Sequence, residues 1–322
     1  MRTRLTDLLG IDQPVMLAGM GGVSYSRLVA AVSEAGGFGC LGASTMSTPE
    51  LIEEMAAVRA ATSKPFGVDL LTAVAGSIET NIGHVIDGGA SVFVAGLGVP
   101  REAVDHLHAN NVLVGSMCGK VRHALAAVAS GCDFVVAQGT EAGGHTGTVA
   151  TFPLVPQIVD AVDGKVPVVA AGGIFDGRGL AAALALGAEG VWVGTRFIAT
   201  PEARGLPGYK DTLLATAEDG TVISRAFSGK TMRVVRNERT NHYEQHPDQL
   251  LPFPKMLGQA FKDEAWHLGG GEDATGVDPD KEGYPCGQGV GAIDSLVPAA
   301  QIVADIVAEA ERTLERLAGI KG

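Results

Sequence analysis

The 322-residue chain has no apolar run approaching the roughly 20 residues that a membrane helix needs. Its four cysteines (Cys40, Cys118, Cys132 and Cys286) are widely spaced and form neither a CxxC pair nor a metal-ligand pattern. No apolar stretch follows the basic residues near the N-terminus, so we expect no signal peptide. These absences predict a cytoplasmic protein with no metal site and no membrane partner.

Positive charge is also scarce. The chain has 24 Lys and Arg residues against 36 Asp and Glu residues, a formal net charge of −12. A molecule of that sign is a poor partner for nucleic acid, and we expect a small-molecule substrate instead. The most basic stretch, residues 225–239, could bind an anion, but such a run is more often a solvated face, and we favour that interpretation.

Apolar residues and glycine are abundant, at 46% of the chain and 45 residues. Short apolar runs recur, and most are followed by a turn and then a helical pattern. Parallel strands need crossover helices, and eight such units close into a single (β/α)8 (TIM) barrel, which we predict. A doubly wound open sheet is less suitable, because the segment after the first strand lacks the GxGxxG spacing. The eight predicted strands are residues 14–19, 37–42, 65–70, 91–95, 112–116, 133–138, 167–172 and 190–194.

Residues 200–290 interrupt this alternation. We interpret them as an insertion after the eighth strand, with one helical candidate at 250–262 and a loop at 269–289. The apolar stripe of residues 296–317 predicts an amphipathic helix that packs on the barrel wall. That helix and the insertion could support a homodimer. Earlier in the chain, Thr48 is a candidate N-cap, with Pro49 at the first helical position.

In a barrel enzyme the active site lies where the strands end. The seventh and eighth strands end in Gly172-Gly173 and Gly194-Thr195. Loops at these two positions commonly hold a phosphate, since glycine lets backbone N–H groups approach it and threonine adds a hydroxyl. The glycines could instead serve only tight turns. Two pairs at the expected positions of one fold favour phosphate binding.

The loop after the sixth strand carries His145 behind two consecutive glycines. Most histidines in proteins are ordinary polar residues, but this one follows a strand end and has a backbone free to turn it inward. Its imidazole titrates near neutral pH and can exchange a proton with a substrate. A metal ligand is the weaker interpretation, because no second His or Cys lies at ligand spacing.

The segment QGTEAGGHTG at 138–147 resembles the signature of the nitronate monooxygenase (2-nitropropane dioxygenase) family, which also contains flavin-type enoyl-acyl-carrier-protein reductases and NAD(P)H:quinone reductases. PVMLAGMGG, FGVDL, the run VVAAGGIFDGRGLAAALALGAEGVWVGTRF and GQGVG match as well. The resemblance implies noncovalent FMN, with His145 as the catalytic histidine. Together with the pattern along the chain, it divides the protein into an FMN-binding barrel (1–200), an insertion at the mouth (201–290) and a C-terminal helix (291–322). The implied FMN contacts are Ala18, Gly19, Met20, Asp69, Gln138, Gly143, Gly172, Gly173, Gly194, Thr195, Gln288 and Gly289.

One residue departs from the family pattern. The third strand usually ends in Asn, and here it carries Asp69, whose carboxylate cannot donate a hydrogen bond unless it is protonated. The resemblance implies oxidation of alkyl nitronates with oxygen. An alternative on the same fold is reduction of a quinone or an enoyl or coenzyme A thioester by NAD(P)H, with Arg225, Arg233 and Arg236 as candidate phosphate ligands. A third hypothesis is a flavin-free enzyme that binds a sugar phosphate. Such an enzyme would normally carry a lysine or paired carboxylates at the strand ends, and this sequence has neither there.

Overall fold

A computed structural model describes residues 1–70, 77–96 and 98–320, with the side chains of 77–80 excepted. The strands are β1 Val15–Leu17, β2 Gly39–Gly42, β3 Phe66–Leu70, β4 Val92–Ala95, β5 Leu113–Cys118, β6 Phe134–Gln138, β7 Gly144–His145, β8 Val168–Ala171, β9 Gly190–Val193, β10 Thr221–Ser224 and β11 Met232–Val235. The helices are α1 Arg4–Leu9, α2 Ser26–Glu34, α3 Thr48–Ala61, α4 Ser77–Asp87, α5 Arg101–His108, α6 Val121–Ala129, α7 Thr151–Val162, α8 Gly177–Ala185, α9 Thr195–Ile198, α10 Tyr209–Ala215, α11 Glu238–Gln245, α12 Lys255–Lys262 and α13 Ala299–Ala318.

Eight parallel strands form one sheet in the order β1-β9-β8-β6-β5-β4-β3-β2. The sheet closes on itself, because Leu17 N donates to Phe38 O (2.8 Å) and Phe38 N donates to Val15 O (2.9 Å). All eight predicted strands are present, so the predicted (β/α)8 barrel is confirmed. The seventh and eighth predicted strands are β8 and β9.

Alternate strand residues face the barrel interior and the surrounding helices, as the two-residue period of a strand requires. The interior is filled by large apolar side chains, and glycine admits the largest of them. A Cβ at Gly115 would lie 2.3 Å from the Phe134 ring, and one at Gly67 would lie 2.8 Å from the Phe38 ring. The interior layer is therefore a packed core, and the open end of the barrel is the place for chemistry. Its buried members are Met16, Ala18, Phe38, Cys40, Val92, Val94, Phe134, Val136, Val169, Ala171 and Trp192.

The insertion has more regular structure than the sequence indicated. The expectation of one helix at 250–262 was wrong: α12 begins only at Lys255, and α10, β10, β11 and α11 precede it. β10 and β11 are adjacent antiparallel strands, and β11 also pairs with β7. These elements are short and polar on their outer faces, so a search for long apolar periods does not detect them.

Helix α13 completes the barrel wall. It begins at Ala299, not at Leu296, and packs against α8 and α2. Gly177 permits that approach, because a Cβ there would lie 2.4 Å from Ile306 O. The insertion thus lies between the last barrel strand and its crossover helix. At α3 the predicted N-cap was wrong by one residue: Ser47 accepts from Glu50 N, and Thr48 is already helical. None of the described helices is long and apolar enough to cross a membrane.

Candidate active site

The carboxyl ends of the barrel strands bring the first predicted residues together. Ala18 N donates to Val193 O over 2.9 Å, which places the β1 loop beside the end of β9. A Cβ at Gly194 would lie 3.2 Å from Met20 Sδ and 3.5 Å from Ala18 Cβ. The loops after the first and last barrel strands are therefore in contact at the mouth.

Asp69 ends the interior face of β3, in register with Gly42 and Val94 on the adjacent strands. A Cβ at Gly19 would lie only 2.2 Å from Asp69 Cβ, so the β1 loop passes directly over this side chain. Asp69 is half-buried, and no described residue offers its carboxyl an ion pair or a hydrogen bond. Loss of solvent raises the pKa of Asp69 from 3.8 to about 8. At neutral pH the group is mostly a neutral carboxylic acid, which can donate a hydrogen bond.

The loop after β6 is fixed by its own polar side chains. Gln138 Nε2 donates to His145 O (2.9 Å), which joins the two ends of the loop. The Glu141 carboxylate accepts from Thr151 N (2.8 Å) at the start of α7 and thereby caps that helix. A Cβ at Gly143 would lie 2.6 Å from the Cys286 carbonyl carbon, so only glycine fits this crossing. The loop is a rigid platform for His145.

His145 forms β7, which pairs with Met232 of β11 in the insertion. Its Nε2 lies 2.9 Å from Ser228 Oγ, also in the insertion. Burial, and then the positive charge of Lys230, lower the pKa of His145 below its ordinary value of 6.5. The imidazole is therefore neutral at pH 7 and can accept a proton.

The two glycine-bearing ends on β8 and β9 lie next to this loop. Gly172 and Gly173 have φ values of 102° and 72°, a conformation that favours glycine. A Cβ at Gly172 would lie 3.1 Å from Ala142 N, and one at Gly173 would lie 3.2 Å from Glu141 Cβ. Among the described residues, no protein acceptor receives the backbone N–H of Gly173 or of Thr195. Two donors suited to an anion thus lie at the predicted position.

The segment after the insertion returns to the same place. Gly287 N donates to Thr195 Oγ1 (2.8 Å), and Gln288 N donates to Glu141 O (2.9 Å). The Gln288 side chain is exposed, while a Cβ at Gly289 would meet the Phe175 ring at 2.4 Å. Every predicted site residue therefore lies at one end of the barrel or on a segment hydrogen-bonded to it.

The preferred interpretation of residues 225–239 as a solvated face was wrong for two of its cations. Arg233 is buried and donates to Thr140 O (3.0 Å) and Thr221 Oγ1 (3.0 Å), and Arg239 is buried against Asp263 (2.8 Å). Arg236 is solvent-exposed and paired with Glu244. Both guanidinium groups are withdrawn from solvent, and Arg239 Nη2 has no hydrogen-bond partner among the described residues.

Sequence reasoning missed Ser228 and Thr151, and it did not place Lys230 of the basic stretch near His145. Ser228 and Lys230 lie more than 80 positions from His145, and only the pairing of β11 with β7 brings them close. Thr151 could have been found, since a threonine at the start of a helix is a common partner for a carboxylate cap. The four cysteines are all buried and unpaired, Cys286 included, and burial raises the pKa of the Cys286 thiol to about 12.

The described residues contain no group of three or more His, Cys, Asp or Glu side chains arranged to hold a metal ion. The site is a barrel mouth with a neutral acid, a neutral imidazole and glycine-bearing loops. The model of the nitronate monooxygenase family matches residues 2–81 and 71–309, and the chain belongs to this family.

Relatives with known names are oxidoreductases. A (3aS,4S,5R,7aS)-5-hydroxy-7a-methyl-1-oxo-octahydro-1H-indene-4-carboxyl-CoA dehydrogenase of Mycobacterium tuberculosis is 42% identical over 76% of this chain and 69% of its own. The structure of FabK from Thermotoga maritima matches with a TM-score of 0.88 and 35% identity over 99% of both chains. Nitroalkane oxidase from Streptomyces ansochromogenes matches with a TM-score of 0.81 and 28% identity, over 97% of this chain and 100% of that one. The protein is an oxidoreductase of this family.

Proposed function

We propose that the protein is an FMN-dependent oxidoreductase that oxidises alkyl nitronates with oxygen. Its family and its likeness to a nitroalkane oxidase support a substrate with a nitro or nitronate group. When bound, FMN would take electrons from the substrate and pass them to oxygen. The protein's own part is to bind, to orient and to place protons and charges.

The mouth fits a flavin mononucleotide at both ends. The unpaired N–H groups of Gly173 and Thr195 suit a phosphate, and the Thr195 hydroxyl oxygen is already held by Gly287 N, which leaves its hydrogen free to donate. At the other end, Asp69 rises from the apolar barrel interior and needs a partner for its carboxyl. A ring system with hydrogen-bonding edges would supply that partner.

The observation that carries the proposed substrate is the position of His145 at the barrel mouth, 2.9 Å from Ser228 Oγ, where burial and the charge of Lys230 keep its imidazole neutral. A nitronate is an anion, and the ammonium of Lys230 attracts it towards the mouth. The imidazole can then hydrogen-bond the nitronate oxygens, or can accept the proton of a neutral nitroalkane. A cationic His145 would be unable to act as that base.

The test uses the purified protein. We expect a visible flavin spectrum, and we expect ethyl nitronate to bleach it under anaerobic conditions and to consume oxygen in air. A colourless protein that cannot be reconstituted with FMN would disprove the cofactor. A flavin that nitronate does not reduce would disprove the substrate.

A second candidate function is the reduction of a quinone or an acyl thioester by NAD(P)H. The M. tuberculosis relative is named as a dehydrogenase of a carboxyl-CoA compound, which supports this alternative. Among the described residues, Arg225 and Lys230 have no carboxylate within ion-pair distance, so the β10–β11 turn offers two cations to a phosphate. Addition of NAD(P)H to the flavin-loaded protein without oxygen distinguishes the two candidate functions. Rapid bleaching of the flavin that is slowed in Arg225→Met would support the NAD(P)H-dependent reductase. No bleaching would exclude it.

A further inference from the structure

Ser228 lies in the turn between β10 and β11 and is only 2% exposed. The turn is held against the barrel because β11 pairs with β7, with Met232 opposite His145. Ser228 is therefore a buried hydroxyl that a separate part of the chain delivers to the candidate catalytic histidine.

The other hydrogen bonds of this hydroxyl favour one of the two neutral tautomers of His145. Lys230 N donates to Ser228 Oγ (3.3 Å), and Ser228 Oγ can donate its hydrogen to Lys230 O (3.3 Å). The remaining lone pair points to His145 Nε2 at 2.9 Å. A hydroxyl has one hydrogen and two lone pairs, so all three are used when Nε2 carries the proton. The other tautomer would take the hydroxyl hydrogen away from Lys230 O.

No described residue bonds His145 Nδ1. Assigned from this network, the neutral ring has Nε2–H bound to Ser228 and a free lone pair on Nδ1. When Nδ1 gains a proton, Nε2–H continues to donate to the same oxygen. The ring can thus change its charge without changing its orientation, which a base in a repeated cycle requires.

We propose that Ser228 is the positioning residue of His145: it holds Nε2 so that Nδ1 is the nitrogen that meets the substrate. This inference rests on the proposed function, in which His145 contacts the substrate. It assigns to the insertion a part in the chemistry, although the insertion lies outside the barrel repeat.

The first test measures the tautomer without turnover. Histidine ring ¹⁵N NMR on the labelled protein as purified, with the His145 resonances assigned by His145→Ala, should show a protonated Nε2 and a free Nδ1. In Ser228→Ala we expect a mixture of tautomers. Ser224→Ala is the matched control, because among the described residues Ser224 Oγ accepts a hydrogen bond from Ala226 N alone, and this change should leave the ring unchanged. A protonated Nδ1 in the wild type, or the same tautomer in Ser228→Ala, would overturn the inference.

The second test is kinetic. Ser228→Ala should lower kcat on ethyl nitronate by about three- to tenfold, the range expected for one neutral hydrogen bond, with an unchanged Kd for FMN. In a His145→Ala background the same change should have no further effect, because the group that it positions is gone. An equal loss in both backgrounds would show that Ser228 acts only on folding.

The proposed role of His145 and the proposed role of Ser228 can fail separately. Full nitronate turnover by His145→Ala would end the proposed role of His145 and the Ser228 inference with it. A large loss in His145→Ala together with wild-type turnover in Ser228→Ala would end the Ser228 inference alone.

Discussion

The barrel and the insertion differ in the size of the apolar core that each builds. The barrel buries two continuous apolar layers, one inside the sheet and one between the sheet and its helices. The insertion has a small core of its own, built on four buried residues that include Phe227 and Val234. It reaches the barrel through apolar residues that join the barrel's own core, such as Tyr209, and through polar contacts, such as those of Arg233 and Gly287. Several of these contacts meet the loop that carries His145. The comparison indicates that the barrel supplies most of the buried apolar core, while the insertion supplies polar contacts to the loop that carries His145.

The largest effect should come from His145, which lies on a barrel loop and contacts the insertion. We expect His145→Ala to lower turnover by about 10²–10⁴-fold, the usual contribution of a positioned proton-transfer group, with FMN binding retained. Steady-state oxygen consumption and flavin titration measure the two quantities. His123→Ala, on the outer helix α6, is the matched control and should leave both unchanged. Turnover within twofold of wild type for His145→Ala would remove this residue from the chemistry.

The anchoring of the insertion can be broken at Arg233. Replacement by Met leaves Thr140 O without its donor, and an unsatisfied buried group costs about 1–3 kcal/mol. We expect a lower free energy of unfolding in urea and faster proteolysis within residues 201–290. Arg236→Met removes an exposed ion pair near the same hairpin and should cost less than about 1 kcal/mol. Equal losses for the two variants would contradict the distinction between a buried anchor and a solvated cation.

The contribution of the barrel to the site can be tested at Asp69, through the pH dependence of the free energy of unfolding. Its folded pKa of about 8 lies above the ordinary 3.8, so the folded state favours the protonated acid. Between these two pH values the unfolded chain binds fewer protons, and the free energy of unfolding falls as the pH rises. Asp69→Asn should therefore be more stable than the wild type at pH 8, and the difference should shrink towards pH 4. Chemical denaturation at both pH values measures it.

The same residue should make cofactor affinity depend on pH. A ligand that covers Asp69 removes its remaining solvent and favours the neutral form further. The Kd for FMN should then rise by about tenfold per pH unit above pH 8, while Asp69→Asn stays flat. Burial, and then the charge of Asp69, raise the pKa of the neighbouring Cys40 thiol on β2 well above its ordinary value, so this thiol stays neutral in that range. Fluorescence titration with FMN measures this Kd at each pH. A wild-type Kd that does not change with pH would contradict the assignment of Asp69 as a neutral acid.

The smallest effect should come from Lys230. Its charge lowers the pKa of His145, so Lys230→Met should raise that pKa. The pH at which protonation of His145 reduces kcat/KM should move upward, by less than about one unit. Lys255→Met, an exposed lysine on α12, is the control and should leave the profile in place. A shift to lower pH in Lys230→Met would contradict the electrostatic assignment.

The barrel could be predicted from the sequence, because each of its repeated units has a local pattern of apolar residues. Each buried parallel strand must be a short apolar run, and each crossover must carry a helical stripe. The resemblance placed Ala18, Asp69, His145 and Thr195 at the barrel mouth by the same logic, since residues that follow parallel strands must lie at one end. The motif also indicated which of those residues meet a flavin, which spacing alone does not.

The insertion was not readable in this way, since its strands are short and its cations look alike in the sequence. Only the tertiary structure decided that Arg233 is buried, that Arg236 is solvent-exposed, and that Ser228 reaches His145. The pKa of Asp69 is likewise a tertiary property, because it depends on how closely Gly19 and the barrel interior exclude water. The sequence by itself determined which elements of the barrel form and at which end of the barrel the site is expected. Distances, burial and partners decided the charge states there, because they depend on residues far apart in the chain.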